Sequence, residues 1–218
     1  MKIILASASP RRKELLHHIF PAFEIIPANG EENAVFTTPS QYVSDLALSK
    51  AAEVACNSFG LKKLTDSNNS VTTLPSDDAL LIIGADTIVY SDNRVLGKPA
   101  DAREAEDMLR CLSGKMHSVY TGVSLLLLTP KENSADLIKK LSFSEETHVY
   151  VSELTSEEIR EYIQSKDCFD KAGSYGIQGM FSKHIDHIDG DYFNVVGLPV
   201  SRLYREIRNH FPQCLTIN

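Results

Sequence analysis

Arg11 and Arg12 follow Ser7-Ala8-Ser9-Pro10 near the start of the chain. Ser9 before Pro10 reads as an N-cap and a first helical residue, so both guanidinium groups fall in the first turn of a helix. There they oppose the helix macrodipole, at a cost of ~0.3–1 kcal/mol each at a surface. An anion reverses the sign. Free backbone N–H groups, the dipole and two guanidinium forks would then all face a phosphate. The same residues also read as a solvated basic pair beside Lys13 and Glu14. Lys50 raises a similar question, because Val43, Leu46, Ala47, Ala51 and Val54 share one helical stripe with Lys50 in its middle. A lysine so placed snorkels, pairs with a carboxylate or reaches into a cleft.

Asp86 stands in Gly84-Ala85-Asp86-Thr87, inside the apolar run of residues 80–90. A carboxylate in a buried strand is costly unless it is paired, protonated or metal-bound. Near a strand end of an α/β sheet it lies at the usual ligand crevice. Gly97-Lys98-Pro99 follows one hairpin later and can bring an ammonium to Asp86, and a structural Asp86–Lys98 ion pair is the plainer outcome. Further on, Gly173, Gly176 and Gly179 punctuate Asp170 to Gly179 and let backbone amides approach a ligand. Their spacing is neither a Walker A loop nor a dinucleotide fingerprint. His184 and His187 lie three apart on a predicted strand and so face opposite sides, which rules out one metal shared between them there. No G-x-S-x-G nucleophile motif is present.

The elements that must carry these residues alternate strand and helix, which points to an α/β class. Residues 3–6 read as a first strand, and the helix after Pro10 has Leu15, Leu16, Ile19 and Phe20 as its apolar face and stops at Pro21. A second helix starts near Ser40 and continues past Val54. Residues 80–90, 117–128 and 146–151 read as strands. Asp101 with Glu104 and Thr155 with Glu158 have capping-box spacing. Asp189-Gly190 reads as a hairpin turn between two strand-like runs. Pro199 opens a last helix with Leu203, Tyr204 and Ile207 on its buried side. Residues 57–78 are rich in Ser, Thr, Asn and Asp and read as a surface insertion, with residues 131–144 a smaller excursion.

The chain has 218 residues, 22 basic against 29 acidic, for a net charge of −7. That length suits one large domain or two tightly joined lobes, burying about 70% of the unfolded surface, so no disulfide scaffold is needed. The four cysteines are far apart and read as reduced thiols of a cytoplasmic chain. The acidic balance argues against a nucleic-acid polymer as partner but not against a small anion in a local basic pocket. No apolar run approaches the ~18 residues of a membrane span. The opening residues reach Ala-Ser-Ala-Ser-Pro too soon for a signal peptide.

Taken in order, these segments resemble the Maf family of nucleotide pyrophosphatases. The match runs through Ile4-Leu5-Ala6-Ser7-Ala8-Ser9-Pro10-Arg11-Arg12, Glu31-Glu32, Lys50-Ala51, Gly84-Ala85-Asp86-Thr87 and Gly97-Lys98-Pro99. It continues with Leu112-Ser113-Gly114-Lys115, Tyr120-Thr121-Gly122-Val123, Asp170 to Gly179, and Gly190-Asp191-Tyr192-Phe193-Asn194-Val195-Val196-Gly197-Leu198-Pro199. Each motif alone is weak, whereas the ordered set spans nearly the whole chain outside the insertion. The resemblance implies one domain over residues 1–218: a twisted mixed sheet with flanking helices, two lobes around a cleft, similar to the inosine-triphosphate pyrophosphatase fold. It implies hydrolysis of a nucleoside triphosphate to the monophosphate and pyrophosphate, a divalent Mg²⁺ or Mn²⁺, and a homodimer. Ser7, Arg11 and Arg12 would hold phosphates, and Lys50 and Lys98 would neutralise the triphosphate. Asp86 would orient or deprotonate the attacking water and share the metal with Glu32, Glu31 being the alternative.

Tyr175-Gly176-Ile177-Gln178-Gly179 looks like the dTTP/UTP branch of that family. A sibling branch acting on 7-methyl-GTP carries a Glu where Gln178 stands. A glutamine amide offers one donor and one acceptor, complementary to the carbonyl and N–H edge of uracil or thymine. The adjacent N–H donors of guanine suit a carboxylate. Gln178 could instead only brace its loop. A nucleotide-binding regulator of cell division, or a pyrophosphatase for modified nucleotides, are the other functions that the resemblance admits.

Overall fold

Ile3, Ile4 and Leu5 form an uninterrupted apolar run, and in the computed structural model they lie buried in strand β1 (Lys2–Leu5). The structure describes residues 1–30, 34–62, 64 and 78–215. The other strands are β2 (Glu24–Ile25), β3 (Leu80–Ser91), β4 (Arg94–Leu96), β5 (Met116–Lys131), β6 (Ser134–Val151) and β7 (Ile185–Asp189). Among the described residues they make one seven-stranded sheet in the order β2-β1-β3-β5-β6-β7, with β4 paired to β3. β1 is parallel to β2 and β3, whereas β4 on β3 and β7 on β6 are antiparallel. The sheet is therefore mixed, as expected. Residues 80–86 of β3 are all buried, the continuous apolar pattern of a strand covered on both faces.

The helices are α1 (Pro10–Leu16), α2 (Pro39–Phe59), α3 (Ala102–Leu112), α4 (Ser156–Gln164), α5 (Tyr192–Val196) and α6 (Val200–His210). The chain divides into two compact units: Met1–Asp86 with Gly122–Ser144 and Leu198–Asn218, and Thr87–Thr121 with Glu145–Gly197. Strands β3, β5 and β6 each contribute residues to both.

In the first unit, Ser9 caps α1 and Thr38 caps α2, each with Pro at the first helical position. The α2 stripe of Val43, Leu46, Ala47, Ala51 and Val54 is buried as expected. It packs where two strand glycines lie beneath it: a Cβ on Gly84 would collide with the Ala47 carbonyl oxygen, and one on Gly122 with the Val43 carbonyl oxygen. Only hydrogen side chains permit that approach. Ile4, Ala51, Ala55, Leu80, Ile82, Leu126 and Leu137 fill the core of this unit. In the second unit α3 packs on α4, burying Leu109 and Leu112 of the first and Ile159 and Tyr162 of the second.

Several expectations need correction. Residues 131–144 are no excursion. They turn directly into β6, whose Ala135, Leu137 and Phe143 point inward, and the Lys131–Asp136 ion pair brackets the turn. Residues 57–59, assigned to the insertion, are the last turn of α2, and Leu61 beyond its cap is buried and bridged to Ala135. Most of the remaining insertion lies outside the described residues. The run after Asp189-Gly190 is helix α5 rather than a strand. Asp191 caps it by accepting from the Phe193 N–H at 2.8 Å, which outweighs the β-propensity of Tyr, Phe and Val. His184 ends a 3-10 turn and is buried, whereas His187 on β7 is exposed. Tyr204 is exposed, and only Leu203 and Ile207 bury from α6. The Thr155–Glu158 box closes fully. Glu104, however, accepts from the Ala100 N–H instead of the cap residue's own. All four cysteines are free, and no described helix is long and apolar enough to cross a membrane.

The glycine contact under α2 gives a direct test. Gly122→Ala should lower unfolding free energy by about 1–3 kcal/mol, read as a shifted denaturant midpoint. Gly97→Ala, with open space at its Cβ, should stay within about 0.5 kcal/mol. Equal effects would contradict the packing argument. Thr155→Ala should cost about 1 kcal/mol by opening the α4 box.

Candidate active site

The loop from β1 into α1 turns on Ser7. Its hydroxyl, nearly buried, accepts from the Ser9 N–H at 3.3 Å and from Arg12 Nη1 at 3.2 Å. Arg12 thus folds back onto the loop rather than running into solvent. Arg11 beside it is half-buried.

Two residues beyond Gly84 on the same strand comes Asp86, and one turn beyond Ala47 on α2 comes Lys50. The close helix–strand approach therefore sets these two side chains against each other, and Lys50 Nζ donates to Asp86 Oδ1. Both are largely shielded, with side-chain exposures of 21% and 12%. Of the three fates open to Lys50 in its apolar stripe, two are realised together: it pairs with a carboxylate and lines a cavity. Asp86 takes Lys50 as ion-pair partner, in place of the Lys98 pairing raised from the sequence.

Next to this pair is a cavity of about 250 Å³ whose walls include Asn29, Gly30, Leu46, Ser49, Lys50 and Glu53. That is below the ~300–1,000 Å³ of typical small-molecule pockets. Glu53 was missed from the sequence. Its carboxylate accepts the Asn29 N–H at 2.9 Å and the Gly30 N–H at 3.0 and 3.1 Å, holding the chain immediately before Glu31-Glu32. Its place three residues after Lys50 was readable, but a backbone partner leaves no sequence signal. Glu32 and its alternative Glu31 lie outside the described residues. Asp86 brings the hard oxygen donors that Mg²⁺ or Mn²⁺ takes. Among the described residues no group of three or more His, Cys, Asp or Glu is placed to hold a metal.

The second unit carries Lys98 and Gln178, both exposed. Lys98 follows β4 in a loop whose Gly97 carbonyl accepts the Gly173 N–H at 3.0 Å, tying it to the glycine-rich segment. Gln178 sits in a turn closed by the Gly179 N–H on the Gly176 carbonyl at 3.2 Å. Just before that turn, Tyr175 Oη meets His117 Nε2 at 2.7 Å inside the core. Burial pushes His117 down to about 4, so it is neutral at ordinary pH.

The strand continuing from Asp86 is tied by a hydroxyl chain that the sequence did not announce. Thr121 donates to the Asn194 carbonyl at 3.0 Å and accepts from Thr87 at 2.9 Å, its one proton being already used. Asn194 Nδ2 donates to the Val119 carbonyl and to Thr147 Oγ1, both at 3.0 Å.

A family model described as Maf-like protein matches residues 2–210. A dTTP/UTP pyrophosphatase of Agathobacter rectalis is 50% identical over 207 residues, covering 95% of this chain and 96% of that protein. Proteins of the same name are 48% identical in Bacillus cereus and 47% identical in Bacillus anthracis, each over 208 residues, with 95% of this chain and 94% of theirs covered. With the family match running through every motif from Ser7 to Pro199 and both halves of the Lys50–Asp86 pair, this chain belongs to the Maf family.

Proposed function

We infer that this protein hydrolyses nucleoside triphosphates to the monophosphate and pyrophosphate, with dTTP and UTP as its substrates. The observation that carries this reading is the Lys50–Asp86 pair: a shielded carboxylate beside an ammonium, in a chain whose relatives at 47–50% identity are dTTP/UTP pyrophosphatases. A module that only binds triphosphate gains little from a carboxylate there, because like charges repel.

In this mechanism Ser7, Arg11 and Arg12 hold phosphate oxygens through charge-assisted hydrogen bonds. Lys50 and Lys98 offset negative charge on the triphosphate. Asp86 orients a water for attack on the α-phosphorus and accepts its proton. The new P–O bond forms as the bond to the bridging oxygen breaks, and pyrophosphate leaves. Asp86 and Glu32 would hold a divalent cation, which supplies charge stabilisation to the phosphate oxygens when bound. Gln178 reads the base, its donor and acceptor matching the uracil or thymine edge and disfavouring 7-methyl-GTP. The family resemblance further supports a homodimer, and the four free cysteines support a cytoplasmic chain. The net charge of −7 supports the absence of a nucleic-acid polymer among its partners.

Purified protein with Mg²⁺ or Mn²⁺ should release pyrophosphate and monophosphate from dTTP and UTP. Release of orthophosphate from the γ-position would overturn the reaction class. Asp86→Asn should lower kcat about 10²–10⁴-fold, the span of general-base contributions, with circular dichroism unchanged. Gln178→Glu should weaken dTTP and UTP turnover while guanine nucleotides gain. Unchanged selectivity would remove Gln178 from base reading.

A further inference from the structure

We propose that Tyr162 is a positioning residue for base selection, its hydroxyl fixing the backbone of the turn that presents Gln178. The inference rests on the reading of Gln178 as the base contact. A long side chain on an exposed turn is placed no better than the turn itself, and small misplacements of a contacting group are costly.

The clamp is built from one short stretch of unit two. Tyr162, buried on α4, accepts the Gly176 N–H at 3.2 Å and donates to Asp167 Oδ2 at 3.2 Å. One phenol thus joins the first residue of the turn to a carboxylate at its other end. Asp167 packs so tightly on Gly179 that a Cβ there would collide with Oδ2, and a Cβ on Gly176 would strike the Lys171 stem. Lys171 closes the arrangement by donating to Asp167 Oδ1 at 2.8 Å, the Asp167 carbonyl at 2.6 Å and Asp170 Oδ1 at 2.6 Å.

Both ends of the turn are therefore walled by Asp167 and Lys171. Ile177 within it is buried, leaving Gln178 as the side chain turned outward from its middle. The Tyr162 ring packs at 5.0 Å on Phe181, which packs at 5.0 Å on Tyr175. Burial, followed by the charge of Asp167, pushes the Tyr162 phenol well above its ordinary value, so it keeps the proton it donates. Nothing in the proposed chemistry touches Tyr162, so its influence on a nucleotide passes through the turn.

The test uses Tyr162→Phe, which keeps the ring and removes the hydroxyl, beside Gln178→Ala and the double variant in the full chain. Pyrophosphate release is measured for dTTP, UTP, CTP and GTP with Mg²⁺. For Tyr162→Phe, kcat/KM for dTTP and UTP should fall about three- to tenfold, mainly through KM, with GTP little changed. In the Gln178→Ala background the same substitution should lower the dTTP-to-GTP ratio no further. Asp167→Asn, which disturbs the hydroxyl from its other side, should shift the ratio in the same direction if Tyr162→Phe folds poorly.

A uniform loss across all four nucleotides, or losses that add in the double variant, would overturn the positioning role. So would an unchanged ratio in Tyr162→Phe when Gln178→Ala abolishes selectivity. An unchanged ratio in Gln178→Ala itself would instead remove the base-reading role, and the positioning role with it.

Discussion

The close seating of α2 on strands β3 and β5 is the constraint on which the candidate site depends. Gly84 and Gly122 leave no side chain between the sheet and the carbonyls of Ala47 and Val43. The helix backbone consequently rests against the strand backbone. Lys50 and Asp86 follow from that geometry. One is a turn further along the helix, the other is the next residue on the same face of the strand. The energetics reinforce the placement. A carboxylate with little solvent access needs a partner, and an ammonium in an apolar stripe needs one too. Each meets the other's requirement, and the small side chains around Ala47 and Ala51 leave room for them to meet.

The two units solve different problems. The first builds on buried strand and helix, and its polar side chains tie down neighbouring backbone. Ser7 serves Arg12 and the Ser9 amide at once, and Glu53 gathers the amides of Asn29 and Gly30. The second relies more on buried hydroxyls and rings. Thr87, Thr121, Thr147 and Asn194 form one network, while Tyr162, Asp167 and Lys171 form another around the glycine turn. The first network ties strands β3, β5 and β6 to helix α5, and the second ties helix α4 to the glycine turn.

Legibility in the sequence followed the range of each interaction. Caps at Ser9, Thr155 and Asp101 act over three residues or fewer, and all are present in the structure. The apolar stripe of α2 and the continuous run of β3 are periodic, so their burial was readable, and Lys50 stood out as the break in its stripe. Failures came where a local pattern was shared by two outcomes. Residues 192–196 have strand-like types, but one aspartate cap and the buried Asn194 make them a helix. The weakly patterned 131–144 became a strand because its partner, β5, was already there to pair with it.

Residue types and spacing alone determined the chemistry available to this protein. They supplied cations near Ser7, a carboxylate in an apolar strand, a lysine in an apolar stripe, and a glutamine in a glycine-rich turn within an ordered motif set. Tertiary structure decided the partnerships. It assigned Lys50 rather than Lys98 to Asp86, Glu53 to the amides before Glu31, and Tyr162 with Asp167 to the Gln178 turn. The reason is physical. A side chain's identity is local, but its partner is chosen by which backbones come within hydrogen-bond reach, and that is set by glycine contacts and strand pairings between residues far apart in the chain.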